Sequence, residues 1–213
     1  DMNNGERFAR LFRGFTARYG RYDLAGRKSE KGKEEGQART VDQQITTQDY
    51  TNHIEGKVGV GVIPLRDDNQ VNFAAIDIDV YNQEDKEKRN LTHEDIALVL
   101  RETPLIVSRS KSGGVHIWLF SSEGVSARLA NDYLQAQAHV LGVAGTEVFP
   151  KQTERHSDDD VGNWINLPYF GDSRVAVIPN KVGSVYEFVD ATLDQFLMLA
   201  ERVAESVTDE WLS

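Results

Sequence analysis

The chain has 213 residues, 39% of them hydrophobic and 27% charged, with a formal net charge of -10 and no cysteine. That is the composition of an ordinary globular protein long enough to bury a substantial core, and the missing thiol excludes disulfides, Cys-ligated zinc and cysteine nucleophiles. No apolar run approaches the ~20 residues of a membrane span, and the polar start "DMNNGERFAR" lacks a secretory apolar region, so a cytoplasmic protein without a membrane partner is expected.

Phe8, Leu11, Phe12, Phe15 and Tyr19 fall at helical spacing between Arg7, Arg10, Arg13 and Arg18, which predicts an amphipathic helix with a basic outer face. "GRKSEKGKEEGQAR" (26–39) is polar and glycine-punctuated and predicts a flexible loop. Residues 1–40 carry ten Lys/Arg against six Asp/Glu, a net of +4, whereas the rest of the chain carries -14. Such a basic segment on an acidic body can grip a phosphate backbone or be a solvated loop.

"TTQDYTNHIEG" predicts a short helix, capped by threonine and stopped by glycine. "KVGVGVIPL" and "VNFAAIDIDVY" flank the turn "RDDNQ" and predict an antiparallel hairpin. After the polar "NQEDKEKRN", "THEDIALVLRET" predicts a capped helix ended by Pro104. "PLIVS" and "VHIWLF" read as strands joined by "RSKSGG", and "SARLANDYLQAQAHVLG" as a helix. A short strand "TEVFP", the irregular "KQTERHSDDDVGN", three strand-like runs from "WINLPYF" to "VYEFV" and a closing helix complete the chain. Strands and helices do not alternate as in a doubly wound sheet, so the expected class is α+β with a mixed or antiparallel sheet.

Within "FAAIDIDVY", alternation puts Ala75, Asp77 and Asp79 on one face and Ile76, Ile78 and Val80 on the other. Two carboxylates roughly 7 Å apart repel unless a cation sits between them or the face is simply exposed. Metal ligation and an acid-tolerant exposed face both remain open on this stretch. "SRSKSGGVHIWLF" (108–120) places Arg109, Lys111, two hydroxyls and a glycine pair between strands, a pattern that can wrap phosphates. No helix follows and the GxxxxGK spacing is missing, so it is not a Walker loop. His116 opens the next strand, and in "TEVFPKQ" Glu147 could supply a third carboxylate. Paired divalent ions bridged by carboxylates are the usual solution for attack on a nucleotide phosphate.

Taken together and in order, "LFRG", "HIEGKVGVGVIPL", "AAIDID", "RSKSGGVHIWLF", "EVFPKQ" and "GNWINLP" resemble the archaeo-eukaryotic primase superfamily over roughly residues 8–170. The likeness is to the primase-polymerase domains of TOTE-type conflict systems and of related phage, plasmid and CRISPR-associated primases. It implies a single catalytic domain over residues 1–213, with an N-terminal helical and basic segment to about residue 55 and a catalytic core beyond. It implies an RRM-like sheet bearing the acids, packed with a second small α/β unit. Asp77, Asp79 and Glu147 would hold Mg²⁺ or Mn²⁺ in a two-metal site, and His116 would touch the incoming triphosphate. Arg109, Ser110, Lys111, Ser112 and Gly114 would line the nucleotide site, with Lys151 and Asn163 nearby.

The family often uses aspartate where Glu147 stands, and often carries a cysteine-rich zinc-binding insertion that a cysteine-free chain lacks. The implied activity is template-dependent synthesis and extension of primers on single-stranded DNA from nucleoside triphosphates. A prokaryotic, phage or plasmid origin is implied too, as is the helicase or accessory module that frequently accompanies such domains. Two rivals stand beside it: a non-catalytic nucleic-acid-binding module derived from a primase, and a metal-dependent nuclease. With all three acidic positions and the histidine filled, decay to a binding module is disfavoured.

Overall fold

A computed structural model describes residues 1–28, 34–79 and 91–213. In chain order the elements are α1 (Asn4–Leu11), β1 (Tyr19–Lys28), β2 (Glu34–Val41), α2 (Thr47–Ile54), β3 (Val58–Val62), β4 (Gln70–Ile78), α3 (His93–Val99), β5 (Ile106–Arg109) and β6 (Val115–Ser126). They continue with α4 (Ala127–Val140), β7 (Glu147–Phe149), β8 (Ile165–Asn166), β9 (Ala176–Val182), β10 (Val185–Asp190), α5 (Leu193–Ala204) and α6 (Asp209–Leu212). The class is α+β. Four strands form one antiparallel sheet in the order β2-β1-β3-β8, and six form a second in the order β10-β9-β5-β6-β4-β7. Among the described residues no helix is long and apolar enough to cross a membrane.

Local sequence signals set the helix starts. Thr46, Thr92 and Thr192 each close a capping box with the residue three positions on, Asp49, Asp95 and Gln195, satisfying two otherwise unpaired backbone donors per helix. Ser126 caps α4, and Gly142, at φ +74°, follows its last turn.

Three expectations change. The first helix stops at Leu11, because Gly14 lies so close to the chain leaving β3 that a Cβ would stand 2.1 Å from the Ile63 carbonyl oxygen. Phe15 N–H donates to that oxygen, and Tyr19 opens a strand instead. Phe8, Leu11, Phe12 and Tyr19 still share one core, so their apolar spacing reports burial across a helix, a bend and a strand. The stretch 26–39 is not all loop: β1 and β2 pair through much of it. The polar 82–90 stretch lies outside the described residues, as do Val80 and, within the basic segment, Lys31 and Lys33.

The hairpin expected from β3 and β4 does not form. Both are strands, but β3 pairs with β1 and β8 while β4 pairs with β6 and β7. The reason is burial on both sides of β4. Phe73 and Ala75 join a core with Phe12, Trp118, Phe120 and Phe196, while Ala74, Ile76 and Ile78 join a second core with Ile96, Leu134 and Ala138. A strand buried on both faces needs neighbours and covering layers that a two-stranded hairpin cannot provide. Phe12 anchors the first core, meeting Phe73, Trp118 and Phe120 edge-on with ring centroids 5.2–5.3 Å away.

Candidate active site

The acid in "AAIDID" sits where the apolar face of β4 runs out. Directly opposed residues of antiparallel strands share a face, and the registers build rows across the second sheet. Ile106, Trp118, Ala75 and Phe149 form one row, all within the first core. Two residues along the strands, the same face carries Ser108, His116, Asp77 and Glu147, opposed in that order on β5, β6, β4 and β7. The row is polar at the margin of a dry core. Ser108 is fully buried and accepts a 2.8 Å hydrogen bond from Trp118 Nε1, and the Trp118 ring meets His116 edge-on at 5.3 Å. His116 is thereby packed in place, with Nε2 3.3 Å from Asp77 Oδ1.

Exposure rises along the row, from a His116 side chain 7% exposed through Asp77 at 30% to Glu147 at 58%. Lys151 Nζ lies 3.4 Å from Glu147 Oε1 and over the Phe149 ring. Asp79 is one residue beyond the end of β4 and exposed. Among the described residues no three His, Asp or Glu side chains are gathered into a ready-made metal centre. Asp77 and Glu147, opposed across β4 and β7, offer hard oxygen donors of the kind Mg²⁺ and Mn²⁺ prefer, with Asp79 two residues further along the chain. As a donor set they fit such ions.

The loop 109–114 closes over the end of β4. Ser110 N–H donates to the Gly114 carbonyl, Gly113 N–H donates to that of Ser110, and the two serine hydroxyls at 110 and 112 are 3.4 Å apart. Gly113 takes φ +87°, and a Cβ on Gly114 would stand 2.6 Å from the Ile78 carbonyl oxygen. Glycine is therefore required twice, once for a left-handed backbone and once for close approach. Lys111 reaches across to the first sheet, where its Nζ stands 3.5 Å from the centroid of the Tyr22 ring. Partial burial, and then the charge of Arg174, hold its pKa below the usual lysine value.

Arg109 is not brought to this row. It is opposed to Val115, on the face that packs toward α3, and its guanidinium engages Asp190 at 3.3 Å and Glu94 at 3.9 Å. Asn163 is exposed just before β8, next to Trp164. The Trp164 indole lies on the opposed glycines Gly20 and Gly61, where an added Cβ would stand 2.3 Å from its ring, and donates to Thr40 Oγ1 at 3.2 Å.

His53, within the first motif of the sequence, plays a different part. It is fully buried, accepts from Val60 N–H at Nδ1 and contacts the Pro168 carbonyl through Nε2 at 2.8 Å. With Nδ1 accepting, Nε2 carries the proton and donates. Burial pushes its pKa down to about 3, so it is a neutral tie between α2, β3 and the segment after β8.

Sequence reasoning missed Ser108, Trp118, Tyr22 and Arg174. Ser108 was within the quoted motif, but only the strand register shows that it lies on the His116 row.

In comparison with known families, the model described as the archaeo-eukaryotic primase domain of TOTE conflict systems matches residues 12–201. No curated protein matches the chain. The family match spans every residue of the polar row.

Proposed function

The chain belongs to the archaeo-eukaryotic primase domain family of TOTE conflict systems, and from that premise we propose that it is a template-dependent nucleotidyltransferase that synthesises and extends primers on single-stranded DNA. The observation that carries the reading is the row Ser108, His116, Asp77 and Glu147, with a glycine, hydroxyl and lysine loop closing over its end. In this reading the six-stranded sheet is the RRM-like sheet of the family, and the incoming nucleoside triphosphate lies along the row.

Asp77, Asp79 and Glu147 would hold Mg²⁺ or Mn²⁺, which when bound lower the pKa of a 3′-hydroxyl and neutralise charge on the departing pyrophosphate. His116 donates a hydrogen bond to a phosphate oxygen once the Asp77 carboxylate, 3.3 Å from its Nε2, turns to the metal ions, and the edge-on Trp118 ring keeps the imidazole in place. Ser110, Ser112, Lys111 and the backbone around Gly114 embrace the phosphate tail. Lys151, paired with Glu147, fixes the direction of that carboxylate. The net +4 N-terminal segment offers local attraction for the template strand despite the acidic remainder.

The test incubates the chain with single-stranded DNA, deoxy- or ribonucleotides, and Mg²⁺ or Mn²⁺, and reads product length. New strands that require template and vanish in Asp77→Ala support the reading. Digestion of a labelled primer without incorporation would make it a nuclease, and template binding with neither reaction would make it a binding module.

A further inference from the structure

The Gly114 carbonyl is bonded from two directions. Ser110 N–H donates to it from within the 109–114 loop at 3.0 Å, and His93 Nε2 lies 2.9 Å from it, reaching in from α3. A carbonyl oxygen only accepts, so Nε2 carries the proton and donates, and in that tautomer Nδ1 is an acceptor. The group that faces Nδ1 is the Arg109 guanidinium, which has donors alone, with Nη1 3.5 Å away. Arg109 is in turn engaged by Asp190 and Glu94. Both neighbours of the ring therefore select the same tautomer. The Arg109 contact is at the long limit of a hydrogen bond, so it orients the imidazole more than it holds it.

His93 stands on a rigid support. It is the first residue of α3, directly after the Thr92 cap, and the capping box of Thr92 with Asp95 fixes that turn. Ile96, Ala97 and Leu100 bury the helix in the second core, against β5 and β9. A side chain carried on a packed helix is placed more sharply than one on a loop.

What the ring holds is the stem of a loop with an open tip. Lys111, Ser112 and Gly113 are exposed, whereas Gly114 is buried. Gly114 also lies so near the end of β4 that a Cβ would stand 2.6 Å from the Ile78 carbonyl oxygen, and Ile78 separates Asp77 from Asp79. Gly114 is therefore held by α3 at its carbonyl and stopped by the end of β4 at its α-carbon. Ordering a loop costs conformational entropy, and a loop ordered in advance spares its ligand that cost.

We propose that His93 is a positioning residue for nucleotide binding. From α3 its Nε2–H holds the Gly114 carbonyl and sets the 109–114 loop in the shape that receives the nucleotide, without touching the nucleotide itself. This rests on the nucleotidyltransferase reading for its ligand, and on the His93–Gly114 hydrogen bond for its site.

The test uses the full chain and two substitutions. His93→Leu removes the donor and keeps the bulk, while His93→Gln keeps an N–H that can reach the carbonyl. Amide hydrogen exchange at Ser110 and Gly113, without ligand, reads the order of the loop. Thermal unfolding with dATP or ATP and Mg²⁺ reads nucleotide binding, and primer extension separates the nucleotide KM from kcat. In His93→Leu the two amides should exchange about fivefold faster or more. The half-saturating nucleotide concentration and KM should rise about fivefold, the scale of one net hydrogen bond. Single-stranded oligonucleotide affinity and kcat should stay within about twofold, and His93→Gln should restore most of the difference.

A merely structural histidine would instead lower the Tm and the active fraction, and so kcat, with KM unmoved. That result overturns the proposal, as does unchanged exchange in His93→Leu or a loss that His93→Gln does not repair. Should His93→Leu fail to fold, His93→Ala takes its place. A wild type that neither binds nucleotide nor extends primers removes the polymerase reading and with it the ligand of the loop, while the exchange rates still report whether His93 holds Gly114. An active wild type whose His93→Leu variant keeps its KM overturns the positioning role alone.

Discussion

His116 and Asp77 stand directly opposite each other on β6 and β4, and the imidazole Nε2 lies 3.3 Å from the carboxylate Oδ1. The pair couples a phosphate donor to a metal-ligand candidate. Asp77→Asn keeps the shape beside His116 and removes the charge. Primer synthesis should fall by about a hundredfold or more, with Tm within a few degrees of wild type. Asp79→Ala should behave likewise. Full activity in Asp77→Asn would show that the charge at this position is dispensable.

Glu147 and the acidic run Asp158–Asp160 compete for the role of third acid. Glu147 is fixed by strand register opposite Asp77. Asp160 is occupied in its own loop, accepting from His156 N–H and Gln152 Nε2, and the His156 bond is the first cause of its lowered pKa. Glu147→Gln should cost synthesis on the scale of Asp77→Asn. Changing Asp158, Asp159 and Asp160 together to Asn should leave synthesis within about threefold, because an exposed loop contributes little to a strand-built site. The opposite ranking would move the third ligand to the loop.

Arg109 offers a discriminating control. Its contacts are with Asp190 and Glu94 on the face away from His116. Arg109→Ala should leave nucleotide affinity within about twofold and cost at most about 1 kcal/mol of stability, as for other exposed ion pairs. A large loss of nucleotide affinity would mean that the arginine swings to the other face when ligand binds.

Trp164 and Gly61 form a matched pair. An alanine Cβ at position 61 would stand 2.3 Å from the indole, so Gly61→Ala should cost about 1–3 kcal/mol by overpacking, read from urea unfolding. Adding Trp164→Leu should recover part of that loss. If Gly61→Ala alone is neutral, the indole does not rest on the strand in solution.

His53 predicts an acid limit. Its folded pKa of about 3 lies below the unfolded value of about 6.5, so the neutral ring contributes stability above pH about 6.5. That contribution fades as pH falls from there toward 3, with a slope approaching about 1.4 kcal/mol per pH unit. Denaturant titrations between pH 7 and 4 should show the slope, and His53→Gln should flatten it. An unchanged slope in the variant would place the protonating group elsewhere.

Local order was legible in the chain itself. The threonine capping boxes, the alternation through Ala75 and Asp77 and the glycine-bearing loop each depend on residues within a few positions of one another, where sequence spacing is spatial spacing. The periodicity around Phe8–Tyr19 misled because burial, not helicity, produced it. A bend forced by the Gly14 approach to Ile63 leaves the same residues in the same core.

The sequence by itself determined the α+β class, most strand and helix positions, and the resemblance that the family match bears out. Only the tertiary structure decided that β3 and β4 part into different sheets, that Arg109 turns from the His116 row, and that Ser108 joins that row. The physical reason is the same in each case. Which strands pair, and so which side chains share a row, is fixed by burying both faces of β4 between two cores, a condition on distant residues that no local pattern records.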